Sequence, residues 1–249
     1  MKLIQITDTH LHADPATRSR TGVPHARLEA VVAAVTAERP DAVVVTGDIS
    51  QDETPASYAA AVRLFDTLPC PWHWLPGNHD RLDLMAAERP LVEAVELGDW
   101  QMLLLNTQVP GEPQGRLGRE RLDALKRQLE RLERPTLIAM HHPPVVVGTD
   151  WMDAIGLEDR DAFWRLLDGH DRVQAVVFGH AHQAFATTLT DSSGHAVGVY
   201  GCPAAADQFL PGATHFAVDA EARPGYRVLT LDSQPLATRV KRVSVGPRD

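Results

Sequence analysis

The chain has 249 residues, of which 44% are hydrophobic and 23% charged, and a formal net charge of −9. That composition excludes a disordered or fibrous chain, and the acidic balance excludes a broad nucleic-acid- or membrane-binding surface, which needs basic groups to meet phosphates. Two cysteines, Cys70 and Cys202, cannot build a disulfide framework or a thiolate zinc site, whereas 12 histidines make imidazole the abundant metal-capable group.

Short apolar runs alternate with segments of helical period along the first three quarters. In chain order, strands are predicted at 3–7, 42–46, 72–75, 102–105, 136–140 and 173–178, and helices at 26–38, 55–68, 119–132 and 158–167. This alternation implies βαβ crossovers and a largely parallel sheet. Beyond residue 180 the period becomes two: 183–190 and 195–200 read as a hairpin around a turn at 191–194, with further antiparallel strands at 214–219, 226–231 and 238–243. A second sheet packed on the first would use them. With no repeat or Gly/Ser linker, residues 1–249 read as a single domain. The first Asp at position 8 leaves no room for a signal-peptide apolar region. Apolar stretches of five or six residues fall far short of the ~20 a membrane span requires, so a cytoplasmic protein is expected.

The chemistry-bearing residues fall just after strands: Asp8 and His10, Asp48, Asn78 and His79, His141, then His180 and His182. In open α/β sheets, sites form beyond the carboxyl ends of strands, so these segments can converge on one rim. Taken singly, Asp8-Thr9-His10 is also a capped turn, and Gly47-Asp48 an ordinary one. Pro76-Gly77 forces a tight exit that brings Asn78 and His79 to the rim. In Gly179-His180-Ala181-His182 two imidazoles at alternate positions would point the same way in an extended segment. Two carboxylates, an amide and four imidazoles exceed what one ion accepts from protein, and suit two ions sharing one carboxylate.

Asp8-Thr9-His10, Gly47-Asp48, the segment 77–80, His141-His142 and the segment 179–182 together resemble the motif set of the calcineurin-like metallophosphoesterases. The segments 5–11, 103–109 and 224–231 extend the likeness to the bacterial class III 3′,5′-cyclic-nucleotide phosphodiesterases. The resemblance implies a four-layer αββα sandwich, two packed mixed sheets flanked by helices. It implies that Asp8, His10, Asp48 and His182 hold one metal and Asp48, Asn78, His141 and His180 the other, with Asp48 bridging. His79 is then catalytic rather than a ligand. It also tilts the metals to Fe2+ or Mn2+, and the thiolate-free donor set admits Zn2+ or Co2+.

The implied reaction converts cyclic AMP to AMP by attack of a bridging hydroxide on phosphorus, with His79 assisting the departing 3′ oxygen. Asp80 either orients His79 or caps the helix that follows. His12 and His142 neighbour ligands and are candidates, with Asn78 and His79, to contact substrate; Trp151 could meet a nucleobase. Two bound ions would make the cleft positive inside an acidic protein. Alternatives are the same site acting on glycerophosphodiesters or other phosphoesters, or the same fold as a protein-binding scaffold. A homodimer is left open.

Overall fold

Side chains along a strand alternate between faces, and in β1 (Lys2–Ile6) Ile4 and Ile6 join one apolar cluster while Leu3 joins another. The same division runs through β2 (Ala42–Thr46), where Val43 and Val45 part from Ala42 and Val44. In β6 (Thr136–Met140), Ile138 and Met140 face away from Leu137 and Ala139. Strands apolar on both faces must be covered on both. The cluster shared by Leu3, Val44, Leu75, Met102, Leu137, Ala175 and Leu229 lies between two sheets, and the other two lie under helices. The result is the αββα sandwich, described here by a computed structural model covering residues 1–232 and 236–246.

The first sheet runs β11-β10-β1-β2-β3, with β3 at Trp72–Leu75, β10 at Gly225–Thr230 and β11 at Ala237–Arg242. The second runs β4-β5-β6-β7-β9-β8, from β4 (Ala94–Leu97), β5 (Trp100–Leu105), β7 (Val173–Phe178), β8 (Phe185–Thr190) and β9 (Ala196–Gly201). Helices α1 (Pro24–Glu38), α2 (Pro55–Phe65) and α3 (Leu82–Glu88) follow or connect strands of the first sheet, and Leu28, Val31, Tyr58, Phe65 and Met85 pack on it. Helices α4 (Gly118–Leu129), α5 (Asp150–Asp153) and α6 (Arg160–Leu167) supply Leu125, Met152 and Phe163 to the cluster on the second.

Two sequence expectations need correction, and one strand was not foreseen. The late strands do not form a sheet of their own: β10 pairs antiparallel with β1, and β9 pairs parallel with β7. The segment 214–219 is not a strand; its pairing is an isolated bridge from Phe209 to Val218, and Phe216 is exposed. The edge strand β4 was not expected, because its side chains are largely exposed. No helix of the described residues is long and apolar enough to cross a membrane.

The sheets are pinned together at their carboxyl ends. Gln5 Nε2 donates to Thr46 Oγ1 (2.9 Å) and to Phe178 O (2.9 Å), joining β1, β2 and β7. The residues that leave β1, β2, β3, β6 and β7 therefore enter one space, contributed by both sheets rather than by the rim of one.

Candidate metal centre

The two oxygens of Asp48 face two groups of donors. Oδ2 lies 3.7 Å from His10 Nε2, and Oδ1 lies 3.4 Å from His141 Nε2. On the first side, His10 Nε2 is 3.1 Å from His182 Nε2, which is 3.3 Å from Asp8 Oδ1. On the second, His141 Nε2 is 3.1 Å from Asn78 Oδ1 and 3.2 Å from His180 Nδ1. A first-row ion holds nitrogen and oxygen ligands at about 2.0–2.2 Å, which sets neighbouring ligand atoms roughly 3.0–3.5 Å apart. Apart from the slightly wider 3.7 Å between His10 and Asp48, the donor spacing is that of ligands sharing an ion, and the set fits two divalent ions. Two main-chain carbonyls fix the ring orientations: His141 Nδ1 donates to Thr46 O (2.7 Å) and His182 Nδ1 to Asp207 O (2.6 Å). A carbonyl can only accept, so each N–H is committed there and each Nε2 is left to face the site.

The backbone reaches this arrangement through conformations that side chains avoid. Asp8, His10, Asp48, His180 and His182 have φ of 53°, 46°, 52°, 62° and 51°, at a cost of order 1–3 kcal/mol each. His180 and His182 therefore do not alternate along an extended segment as expected. Left-handed turns send them to opposite groups, His180 beside His141 and His182 beside Asp8.

Glycine is required where two exits touch. A Cβ on Gly77 would fall on the Asp48 carboxylate and main chain, and one on Gly179 would strike Thr7 and the Thr46 carbonyl. Gly77→Ala is expected to displace Asp48, destabilising the fold by about 1–3 kcal/mol as overpacking does and lowering metal content; denaturant titration with elemental analysis checks it.

Electrostatics prepare the groups for cations. Burial opposes charge on Asp48, but His141 beside it outweighs that and holds its carboxyl well below the usual range; Asp8, likewise buried, is lowered by His182. Burial alone would lower His141, yet Asp48 raises it to about 9, while burial brings His10 down to about 4. The sign follows: a raised value means that the His141 pairing stabilises the metal-free protein fully below pH 6.5 and fades as pH climbs through about 9. Metal loading near pH 7.5 must displace that proton. Adding a divalent ion to metal-free protein in weak buffer should acidify the solution, and a proton release below about half an equivalent per chain would contradict this.

His79 belongs to neither group. Its backbone N–H donates to Asp48 Oδ1 (2.9 Å), its ring meets the His10 ring edge-on at 5.1 Å, and it lines a cavity of about 690 Å³ together with His10, Asp48, Asn78, His180 and His182. His12 also lines that cavity. His142 is not among the residues lining it: it is fully buried, with Nδ1 2.7 Å from Thr107 Oγ1, its ring 4.7 Å from that of His180, and a ring nitrogen close to those of His141 and His180.

Asp80 neither orients His79 nor caps α3. Its carboxylate accepts from Ile49 N (3.0 Å), Ser50 N (3.2 Å), Gly77 N (2.9 Å) and Tyr58 Oη (3.2 Å), clamping the β2 exit to the β3 exit. Burial and nearby Asp48 push it up to about 7. Sequence reasoning missed the upper cavity wall, where Arg18, Arg20, Asp207, Phe209 and Phe216 join Trp151. Its one readable signal was an aromatic, Phe216, in a segment of alternating polarity.

Comparison with known proteins identifies the family. Residues 1–184 match the family model described as calcineurin-like phosphoesterase. A 3′,5′-cyclic adenosine monophosphate phosphodiesterase, CpdA, of Pseudomonas aeruginosa is 37% identical over 97% of this chain and 89% of its own. A 3′,5′-cyclic-nucleotide phosphodiesterase of Nostoc is 34% identical over 98% and 92%. Among solved structures, a dimetal phosphatase from Danio rerio superposes with a TM-score of 0.68 at 15% identity, covering 98% of this chain and 99% of that one, which speaks to the fold. With its two sheets, its split donor set and this match over most of its length, the chain belongs to the calcineurin-like phosphoesterase family.

Proposed function

We propose that the protein is a metal-dependent phosphodiesterase that opens 3′,5′-cyclic nucleotides, cyclic AMP to AMP, at the centre organised by Asp48. The observation that carries the reaction class is the single carboxylate presenting one oxygen to each donor group at the floor of an open cavity. The substrate follows from similarity, over nearly the whole length, to relatives named as cyclic-nucleotide phosphodiesterases.

Asp8, His10, Asp48 and His182 would hold one ion, and Asp48, Asn78, His141 and His180 the other. When bound, two divalent ions supply a water acidic enough to attack at neutral pH and polarise the phosphoryl oxygens. With no thiolate in the set, imidazole, carboxylate and amide donors suit Fe2+, Mn2+, Zn2+ or Co2+, and the family likeness favours Fe2+ or Mn2+. The protein's own contribution to bond breaking falls to His79. Its ring lies on the cavity wall beside the donors, where a ring N–H can donate to the ribose 3′ oxygen as it departs.

The test is a substrate panel on protein reconstituted separately with Fe2+, Mn2+, Zn2+ and Co2+. Cyclic AMP should give the highest kcat/KM, and Fe2+ or Mn2+ the highest turnover. A glycerophosphodiester or a monoester exceeding cyclic AMP tenfold would overturn the assignment.

A further inference from the structure

Beside the donors, the cavity has an aromatic wall assembled from three separate chain segments. Phe209 stacks on the His182 ring with centroids 3.9 Å apart and planes at 8°. Phe216 meets Phe209 at 5.3 Å and Trp151 at 5.2 Å, both edge-to-face, and Trp151 meets Phe209 at 5.2 Å. The Arg20 guanidinium lies 4.8 Å from the centre of the Phe216 ring. Phe216 is nonetheless 47% exposed, and it lines the cavity together with Trp151, Phe209 and Arg20. Trp151 Nε1 has no hydrogen-bond partner among the described residues.

Each segment is fastened. Asp207 accepts from Ser19 Oγ (2.7 Å), Arg20 N (3.0 Å) and Thr21 N (3.1 Å), while its own carbonyl accepts from His182 Nδ1. One residue thus fixes both the arginine loop and a donor of the metal centre. The 209–218 loop is closed by Leu210 N to Ala217 O (2.9 Å) and tied to the start of α5 by Gly212 N to Thr149 Oγ1 (3.0 Å).

We propose that Phe216, Trp151 and Arg20 form the nucleobase subsite of this enzyme. This rests on the cyclic-nucleotide assignment above and names the residues that make it selective. A cyclic nucleotide anchored at the floor by its phosphate carries one other extended group, a flat heteroaromatic ring. The wall offers that ring two aromatic side chains and a guanidinium, contiguous with the donors through Phe209 and His182. Base–aromatic stacking of this kind contributes about 1–3 kcal/mol, a factor of roughly 5 to 150 in affinity.

The experiment uses metal-loaded protein and measures kcat and KM for cyclic AMP, kcat/KM for the base-free diester glycerophosphoethanolamine, and AMP affinity by tryptophan fluorescence. Phe216→Ala should raise the cyclic AMP KM and the AMP Kd by roughly 5- to 150-fold with kcat changed less than about threefold. Its loss in kcat/KM should be at least tenfold larger for cyclic AMP than for the base-free diester. Phe216→Trp should restore the affinity, and Arg20→Ala supplies an independent, exposed second variant with a weaker effect of the same sign. Phe216→Ala matching wild type in KM and Kd, or losing both substrates equally, overturns the subsite while leaving the cyclic-nucleotide assignment standing. A wild-type protein that turns over other diesters but neither opens cyclic AMP nor binds AMP overturns both.

Discussion

Asp48→Asn should lose metal from both positions and, with it, about a thousandfold or more in turnover, because several kcal/mol of transition-state stabilisation depend on the ions. The side chain is 2% exposed and its oxygens serve different groups, 3.7 Å from His10 Nε2 and 3.4 Å from His141 Nε2. An amide keeps the shape but has one acceptor oxygen and no charge, so whichever way it turns, one group faces an N–H₂. The amide must also satisfy the His79 backbone N–H, which Oδ1 now accepts at 2.9 Å. Asp8→Asn is the informative comparison: among the side-chain donors Asp8 faces His182, and its one contact with the other group, the His180 backbone N–H at 3.1–3.2 Å, can still be accepted by an amide oxygen, so Asp8→Asn should retain the His141 side. Elemental analysis per chain separates them. Two ions retained in Asp48→Asn would refute the bridging role, and equal losses in both variants would place the bridge elsewhere.

The interior strands were legible because burial on both faces demands uninterrupted apolar runs, as at 42–46 and 173–178. For the same reason the sheet each strand joins was not legible: a run apolar on both faces does not record its neighbour. That β10 returns to pair with β1, over two hundred residues away, is fixed by long-range packing. The segment 214–219 misled because its apolar alternation, the signature of a half-buried strand, serves a cavity wall with Phe216 exposed. The donors were legible as residue types at strand exits. Their left-handed backbone was not: Asp and His tolerate φ near 50° better than most residues, but that tolerance does not say which of them adopts it, which is decided where Gly47, Gly77 and Gly179 let the exits close on one another. Asp80 shows the limit of motif adjacency: next to His79 in sequence, it is spent on the amides of Ile49, Ser50 and Gly77.

His79→Ala should keep both ions and lose about 10²- to 10⁴-fold in turnover of cyclic AMP, the usual weight of a positioned proton donor. Metal retention follows from the contacts. The link between residue 79 and Asp48 is a backbone N–H, which alanine preserves, and the ring touches His10 only edge-on at 5.1 Å. The ring is half-buried on the cavity wall, so its removal opens space toward solvent instead of a closed void. The size of the loss should depend on the leaving group. A ribose 3′ alkoxide is a strong base that must be protonated or hydrogen-bonded as it leaves, whereas a nitrophenolate carries its own charge. His79→Ala should therefore cost bis(p-nitrophenyl) phosphate at least tenfold less than it costs cyclic AMP. Steady-state kinetics on both substrates, with metal content measured on the same samples, decide the point. Equal losses on the two esters would reassign His79 to substrate placement, and a metal-depleted variant would make it part of the centre that Asp48 organises.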